Sequence, residues 1–362
     1  MRRKRLMTLA IPPKKALNSS KTLRASKKRP FFMNFKKLQK MSDLKEAALR
    51  EEVRAFLEKF PKRGGPVMAR AIFDAKDGKN KMLNLIRAQR NAGAENISTQ
   101  NYFETPIEVG NGQSIKIRVY NAEPERPKTA LIYLHGGGWT IGSAQTCAKV
   151  CSDFSKDFTV IVPEYRLAPE HPYPAALDDV LSTVKWALEN SKRLGILNGD
   201  FFMCGDSAGG HLAITSALKS ILQKLPTPAK LALFYPVTSM FYKGDSWDRF
   251  ASGYALDAEA MEAFNCAYCG DISARRQPCV SPLEFADLKA FPPTITIFAS
   301  HDILRDQCEQ FAKKLAEAGV PSRCACIEGA PHIFMTMPGM EECYNEAFKL
   351  ARDFLISDMP RE

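Results

Sequence analysis

From about residue 129 onward the chain alternates short apolar runs with longer amphipathic stretches, and no other feature limits its fold so strongly. The apolar runs read as strands over 130–134, 160–163, 201–204, 231–235, 294–299 and 323–327, and helical periodicity fills 144–156, 175–194, 208–223, 305–319 and 340–356. Compact apolar strands that alternate with helices are buried on both faces, which implies an α/β fold with a mainly parallel sheet. The stretch 239–290 breaks the rhythm with loops and one helical piece near 257–268, and is expected to be an insertion over the sheet's carboxyl edge. Upstream, 106–110 and 114–120 alternate apolar and polar residues about Asn111-Gly112. That is a hairpin pattern, because Asn and Gly tolerate the positive φ of a tight turn.

The formal charge of +11 suggests a nucleic-acid partner until it is located. Residues 1–41 hold 14 Lys and Arg and no acid, leaving 37 basic against 40 acidic residues in the remainder. The basic character therefore belongs to the leader 1–41, and the folded part is expected over 42–362. Three readings of the leader stay open: a disordered tail, an organelle transit peptide, and a basic arm. With no apolar stretch long enough for a secretory signal, the expected address is cytoplasmic, with import through the leader as the alternative. The ten cysteines are too dilute for a disulfide scaffold and read as reduced thiols. Cys266 and Cys269 have the spacing of half a zinc site, but no second pair accompanies them, so no metal is expected.

Within 42–100, Ser42 and Glu46 beside an apolar-periodic run (Leu44, Ala48, Leu49, Val53, Phe56, Leu57) predict a capped amphipathic helix. Pro61, Gly64, Gly65 and Pro66 are expected to break it, with a second helical stretch over about 67–90.

The chemistry concentrates in a few residues. Gly205-Asp206-Ser207-Ala208-Gly209 lies between an apolar strand and a helical run. In that context the G-x-S-x-G pattern predicts a sharp, strained turn that presents the serine hydroxyl at the top of the sheet. A serine hydroxyl is a poor nucleophile unless a base takes its proton and an acid orients the base. Of five histidines, His332 follows the last predicted strand, the late place expected of the base, whereas His211 lies on the helix leading away from the serine. Asp302 ends the preceding strand and is preferred as the acid over Asp306, which sits inside the next predicted helix. His135-Gly-Gly-Gly-Trp139 follows the first buried strand, and its glycines let backbone N–H groups turn toward a developing oxyanion. Gly136 and Gly137, with Ala208, are the expected donors. A phosphate-binding loop would need Gly-Lys-Ser/Thr and a dinucleotide fingerprint G-x-G-x-x-G; neither occurs here.

These motifs resemble the hormone-sensitive-lipase-like family of α/β hydrolases. His135–Trp139 is similar to the family's oxyanion motif and Gly205–Gly210 to its nucleophile motif; Glu164–Asp179, Ser281-Pro282 and His301–Asp306 also match, although Ile303 stands where Pro is usual. The resemblance covers about 42–358 and implies an α/β-hydrolase fold with a helical cap drawn from about 42–100 and 239–290. It further implies a serine carboxylesterase acting on short- to medium-chain acyl esters through Ser207, His332 and Asp302, with no cofactor. The expected partner is a small-molecule ester; no nucleic acid is expected, and a homodimer stays open. Amide or thioester cleavage, and a ligand-binding protein that has lost turnover, are the alternatives on the same fold.

Overall fold

Eight strands form one sheet in the order β1-β2-β4-β3-β5-β6-β7-β8. The computed structural model describes residues 47–60, 64–94, 102–123 and 125–357. The basic leader and the Ser42 and Glu46 cap lie outside them. Three helices come first: α1 (Glu51–Lys59), α2 (Gly64–Lys76) and α3 (Lys81–Ala92). The single stretch expected over 67–90 is thus two helices, divided at Asp77–Asn80, where Gly78 takes φ +81°. The expected break occurs, since α1 ends at Lys59, and Gly64, Gly65 and Pro66 open α2 beyond it, where a first helical turn has no use for Pro66's missing N–H.

The expected hairpin is β1 (Tyr102–Gly110) and β2 (Gln113–Tyr120), with Asn111 and Gly112 at φ +50° and +69°. β2 is antiparallel to both β1 and β4 (Thr159–Pro163). β3 (Lys128–Leu134), β5 (Ile196–Asp206), β6 (Lys230–Phe234), β7 (Thr294–His301) and β8 (Ser322–Pro331) pair in parallel. Between them run α4 (Ala148–Phe154), α5 (Ala175–Glu189), the one-turn α6 (Ser191–Leu194), α7 (Ala208–Gln223), α8 (Asp245–Arg249), α9 (Ala258–Tyr268), α10 (Arg305–Glu317) and α11 (Glu341–Ile356).

Alternate strand residues serve opposite layers. Ala130, Ile132 and Leu134 of β3 join one apolar cluster with Leu212 and Leu231, while Leu131 and Tyr133 join the other with Phe234 and Phe354. Both faces are therefore buried, which is why the strands read as unbroken apolar runs. In such a sheet the loops beyond the strands' carboxyl ends collect at one rim, and β3, β5, β7 and β8 deliver the singled-out residues there. No helix among the described residues is long and apolar enough to cross a membrane.

Candidate active site

β5 ends at Asp206 and α7 begins at Ala208, so Ser207 alone makes the turn, at φ +54° and ψ −118°. Positive φ is costly for a residue with a Cβ and persists only when the surroundings hold it. Here the Ser207 N–H donates to Phe234 O at 2.9 Å, and Ser207 O accepts from His211 N at 3.0 Å. Gly209 admits no substitute, because a Cβ there would lie 1.9 Å from Leu134 O.

His332 follows β8 directly. Its Nε2 lies 2.9 Å from Ser207 Oγ and its Nδ1 lies 2.6 Å from Asp302 Oδ2. The arrangement fits the tautomer in which Nδ1–H donates to the carboxylate, leaving the Nε2 lone pair for the serine hydroxyl. Asp302 Oδ1 also accepts the Leu304 N–H at 2.9 Å, which fixes the carboxylate. The Tyr235 ring packs against the imidazole at 4.5 Å between centroids, and its hydroxyl accepts the Met335 N–H. All three polar side chains are buried.

The rival carboxylate goes elsewhere. Asp306 accepts the Ser246 N–H at 2.9 Å and Arg305 Nε at 2.9 Å, so it anchors α8 of the insertion rather than the imidazole.

The glycine loop departs from expectation at one residue. The Gly136 N–H donates to Asp206 Oδ1 at 3.0 Å, an oxygen that also accepts the Tyr133 hydroxyl at 2.9 Å. Its donor is therefore committed, and Gly136 is removed from the expected oxyanion set. A buried carboxylate must recruit donors, and Asp206, its pKa pushed up by desolvation, recruits this one. The N–H groups of Gly137, Gly138 and Ala208 have no hydrogen-bond partner among the described residues. Gly137 takes φ +115°, which only glycine adopts readily. Gly138 was missed in the sequence; the carboxyl residue directly before Ser207, in need of a backbone donor, is the signal that shifts the free donors one residue along.

His211 and His135 are held in the packing. His211 Nε2–H donates to Val280 O at 3.0 Å, and its Nδ1 accepts the Trp139 indole N–H at 3.2 Å. Burial lowers the pKa values of His211 and His135 to about 4. His135 stacks on Tyr165 at 4.1 Å. Trp139 is fully buried and stacked on Tyr268 at 4.4 Å, so it belongs to the packing rather than to an open pocket wall.

Both parts of the expected cap meet beside the glycine loop. Asp257, before α9, accepts the Gly65 N–H of α2 at 2.9 Å and the Gly253 N–H at 3.0 Å. The Phe264 ring of α9 lies where a Cβ on Gly138 would be, 2.2 Å from its Cγ. Cys266 Sγ accepts from Arg275 Nη2 at 3.0 Å, and no cluster of three or more His, Cys, Asp or Glu side chains able to hold a metal occurs among the described residues.

A family model described as the alpha/beta hydrolase fold matches residues 131–336. An ethyl acetate hydrolase of Pseudomonas putida is 34% identical over 250 residues, covering 67% of this chain and 79% of the relative. An arylesterase of Saccharolobus solfataricus is 32% identical, covering 62% and 74% respectively. The crystal structure of a thermostable esterase from Pseudomonas putida superposes with a TM-score of 0.75 at 27% identity, covering 86% of this chain and 97% of the other.

Proposed function

The chain belongs to the hormone-sensitive-lipase-like family of α/β-hydrolase esterases, and on that premise we propose that this carboxylesterase uses Ser207 as nucleophile, His332 as base and Asp302 as the acid that orients it. The observation that carries the reading is the unbroken relay from Ser207 Oγ to His332 Nε2 and from His332 Nδ1 to Asp302, at 2.9 and 2.6 Å.

The cycle follows from these atoms. His332 Nε2 takes the hydroxyl proton as Ser207 Oγ attacks the ester carbonyl carbon. The charge that develops on the carbonyl oxygen is met by the free N–H groups of Gly137, Gly138 and Ala208, aided by the positive end of α7. Asp302 stabilises the imidazolium without itself becoming protonated. The imidazolium returns its proton to the departing alkoxide, leaving an acyl-serine. Water then gives a proton to His332, attacks the acyl carbon and releases the acid, and the proton goes back to Ser207. No step calls for a metal or cofactor.

The helices α1–α3 and residues 239–290 serve as the cap, and a small-molecule ester of short to medium acyl length is the substrate. Support comes from the contacts between α2 and α9, and from Phe264 closing on the glycine loop. A purified full-length chain assayed on p-nitrophenyl acetate, butyrate and octanoate tests the reading. Turnover that falls with acyl length and disappears in Ser207→Ala is expected. Undiminished turnover in Ser207→Ala would refute the serine mechanism, and a rate that rises to octanoate would refute the chain-length assignment.

A further inference from the structure

Helix α3 carries two arginines one turn apart that reach opposite sides of the site. Arg87 Nε donates to Thr140 O at 2.9 Å, just past the glycine loop, and Nη2 donates to Ala168 O at 3.1 Å. Its fork also pairs with both oxygens of Glu170, at 2.8 Å each. One turn further along α3, Asn91 Oδ1 accepts the Ser143 hydroxyl at 2.8 Å. Arg90 points the other way. Its Nη2 donates to Thr336 Oγ1 at 2.7 Å and its Nη1 to Thr336 O at 3.3 Å, with Met337 Sδ beside it.

Thr336 is four residues beyond His332. It closes the turn that presents the imidazole: its N–H and that of Met337 both donate to Ile333 O, and Ile333 holds φ +63°. A grip on Thr336 is therefore a grip on the base. The two gripped loops leave β3 and β8, and β5, β6 and β7 lie between those strands in the sheet. Hydrogen bonds within the sheet fix the strands but not the loops beyond them. The geometry points to α3 as a brace across the rim, with Arg90 a positioning residue that holds the His332 turn at a set distance from the oxyanion loop.

The residue type suits the task. A planar guanidinium fork reaches two acceptors of one residue together, whereas a lysine ammonium is a point donor. The cation is partly buried without a carboxylate on its fork among the described residues, and burial pushes its pKa down while the charge of Asp206 opposes that shift. Such a cation is costly, so a side chain of this kind is kept where its direction matters.

The inference rests on His332 being the base, and the test separates the two. Arg90→Met, Arg90→Lys, Thr336→Val and the Arg90→Met/Thr336→Val double variant are made in the full chain. kcat and KM for p-nitrophenyl acetate are measured per active site titrated with a p-nitrophenyl phosphonate. Misplacing a catalytic group by about 1 Å can cost on the order of a hundredfold, so Arg90→Met is expected to lower kcat roughly ten- to a hundredfold with KM held within about twofold. Thr336→Val loses about threefold, Arg90→Lys falls between, and the double variant is no slower than Arg90→Met because both changes cut one link. A lowered melting temperature with unchanged turnover per titrated site would overturn the inference, as would fully additive losses. If Arg90→Met does not fold, Arg90→Lys decides: parental kcat overturns the brace. Parental turnover in Ser207→Ala would instead remove the base assignment itself.

Discussion

The rim of the sheet and the helical layer above it are held by different kinds of contact. At the rim, Ser207, Asp302 and His332 sit within a residue or two of strand ends, and backbone bonds such as Ser207 N–H to Phe234 O set their positions. In the helical layer the ties are side chains of residues far apart in the chain: Asp257 to Gly65, Arg90 to Thr336, Arg87 to Thr140. A parallel sheet makes its strand ends reproducible from local sequence, because each strand's register follows from its neighbours. A layer assembled from separate segments has no such ladder: Ala69 and Ile72 of α2 share a buried apolar cluster with Met261 and Phe264 of α9, and single polar contacts orient the segments. Changes to the three relay side chains should therefore abolish chemistry with the fold intact, and changes in the layer should loosen or misalign.

The largest effect separates two carboxylates four residues apart. Asp302→Asn reverses the donor pattern His332 needs and should lower kcat on the order of 10⁴-fold, with little change in melting temperature. Asp306→Asn should stay within about threefold in kcat and instead loosen α8, whose Ser246 N–H it accepts. Stopped-flow and steady-state rates on p-nitrophenyl acetate measure both. Comparable losses in the two variants would break the distinction between rim and layer.

A smaller effect tests the glycine loop. Asp206→Ala leaves the Tyr133 hydroxyl and the Gly136 N–H buried without their acceptor. Two unsatisfied groups should cost a few kcal/mol of stability, and the displaced loop should cost roughly a hundredfold in kcat, the scale of one lost oxyanion donor. Chemical denaturation and single-turnover rates read these separately. A variant that lost stability alone would show that the loop holds its shape without Asp206.

Chain order made much of this legible. Short apolar strands between amphipathic helices imply the sheet, and the sequence Ser207, Asp302, His332, each beside a strand end, anticipates which side chains meet. What could not be read depended on partners far away. Gly136 looks like its neighbours until the buried Asp206 claims its N–H. Arg90 reads as one more charge on an exposed helix, because nothing local announces that Thr336 receives it. The break between α2 and α3 was hidden because Asp77–Asn80 is short and the apolar rhythm resumes beyond it. The early start of β5, at Ile196, was hidden because Asn198, Gly199 and Asp200 look like a loop.

Two buried histidines lie where rim and layer meet. His135 opens the glycine loop, and His211 of α7 donates to Val280 O of the insertion. Burial holds both pKa values near 4, below the ordinary 6.5 that each regains on unfolding. The unfolded chain thus binds more protons between these values. The stability from the neutral rings is complete above about pH 6.5 and is lost as pH falls toward 4. At 1.36 kcal/mol per pH unit, each ring contributes up to roughly 3 kcal/mol of that loss. Urea unfolding at pH 7, 5.5 and 4.5 measures the slope, and His211→Gln should flatten it. An unchanged slope would mean that His211 titrates alike in folded and unfolded chains.

The smallest expected effect probes the joint within the helical layer. Asp257 accepts the Gly65 and Gly253 N–H groups, and its place before α9 adds a favourable charge at that helix's first turn. Asp257→Ala removes two charge-assisted bonds, one part-buried and one exposed, so a loss of about 1–3 kcal/mol is expected. If the layer is a separable lid, that loss should appear as faster amide exchange in α2 and α9 with β5–β8 unaffected, and as a higher KM with kcat held within about threefold. If exchange quickens equally in the strands, the layer and the sheet unfold as one cooperative unit, and the contrast between them concerns only how each is assembled.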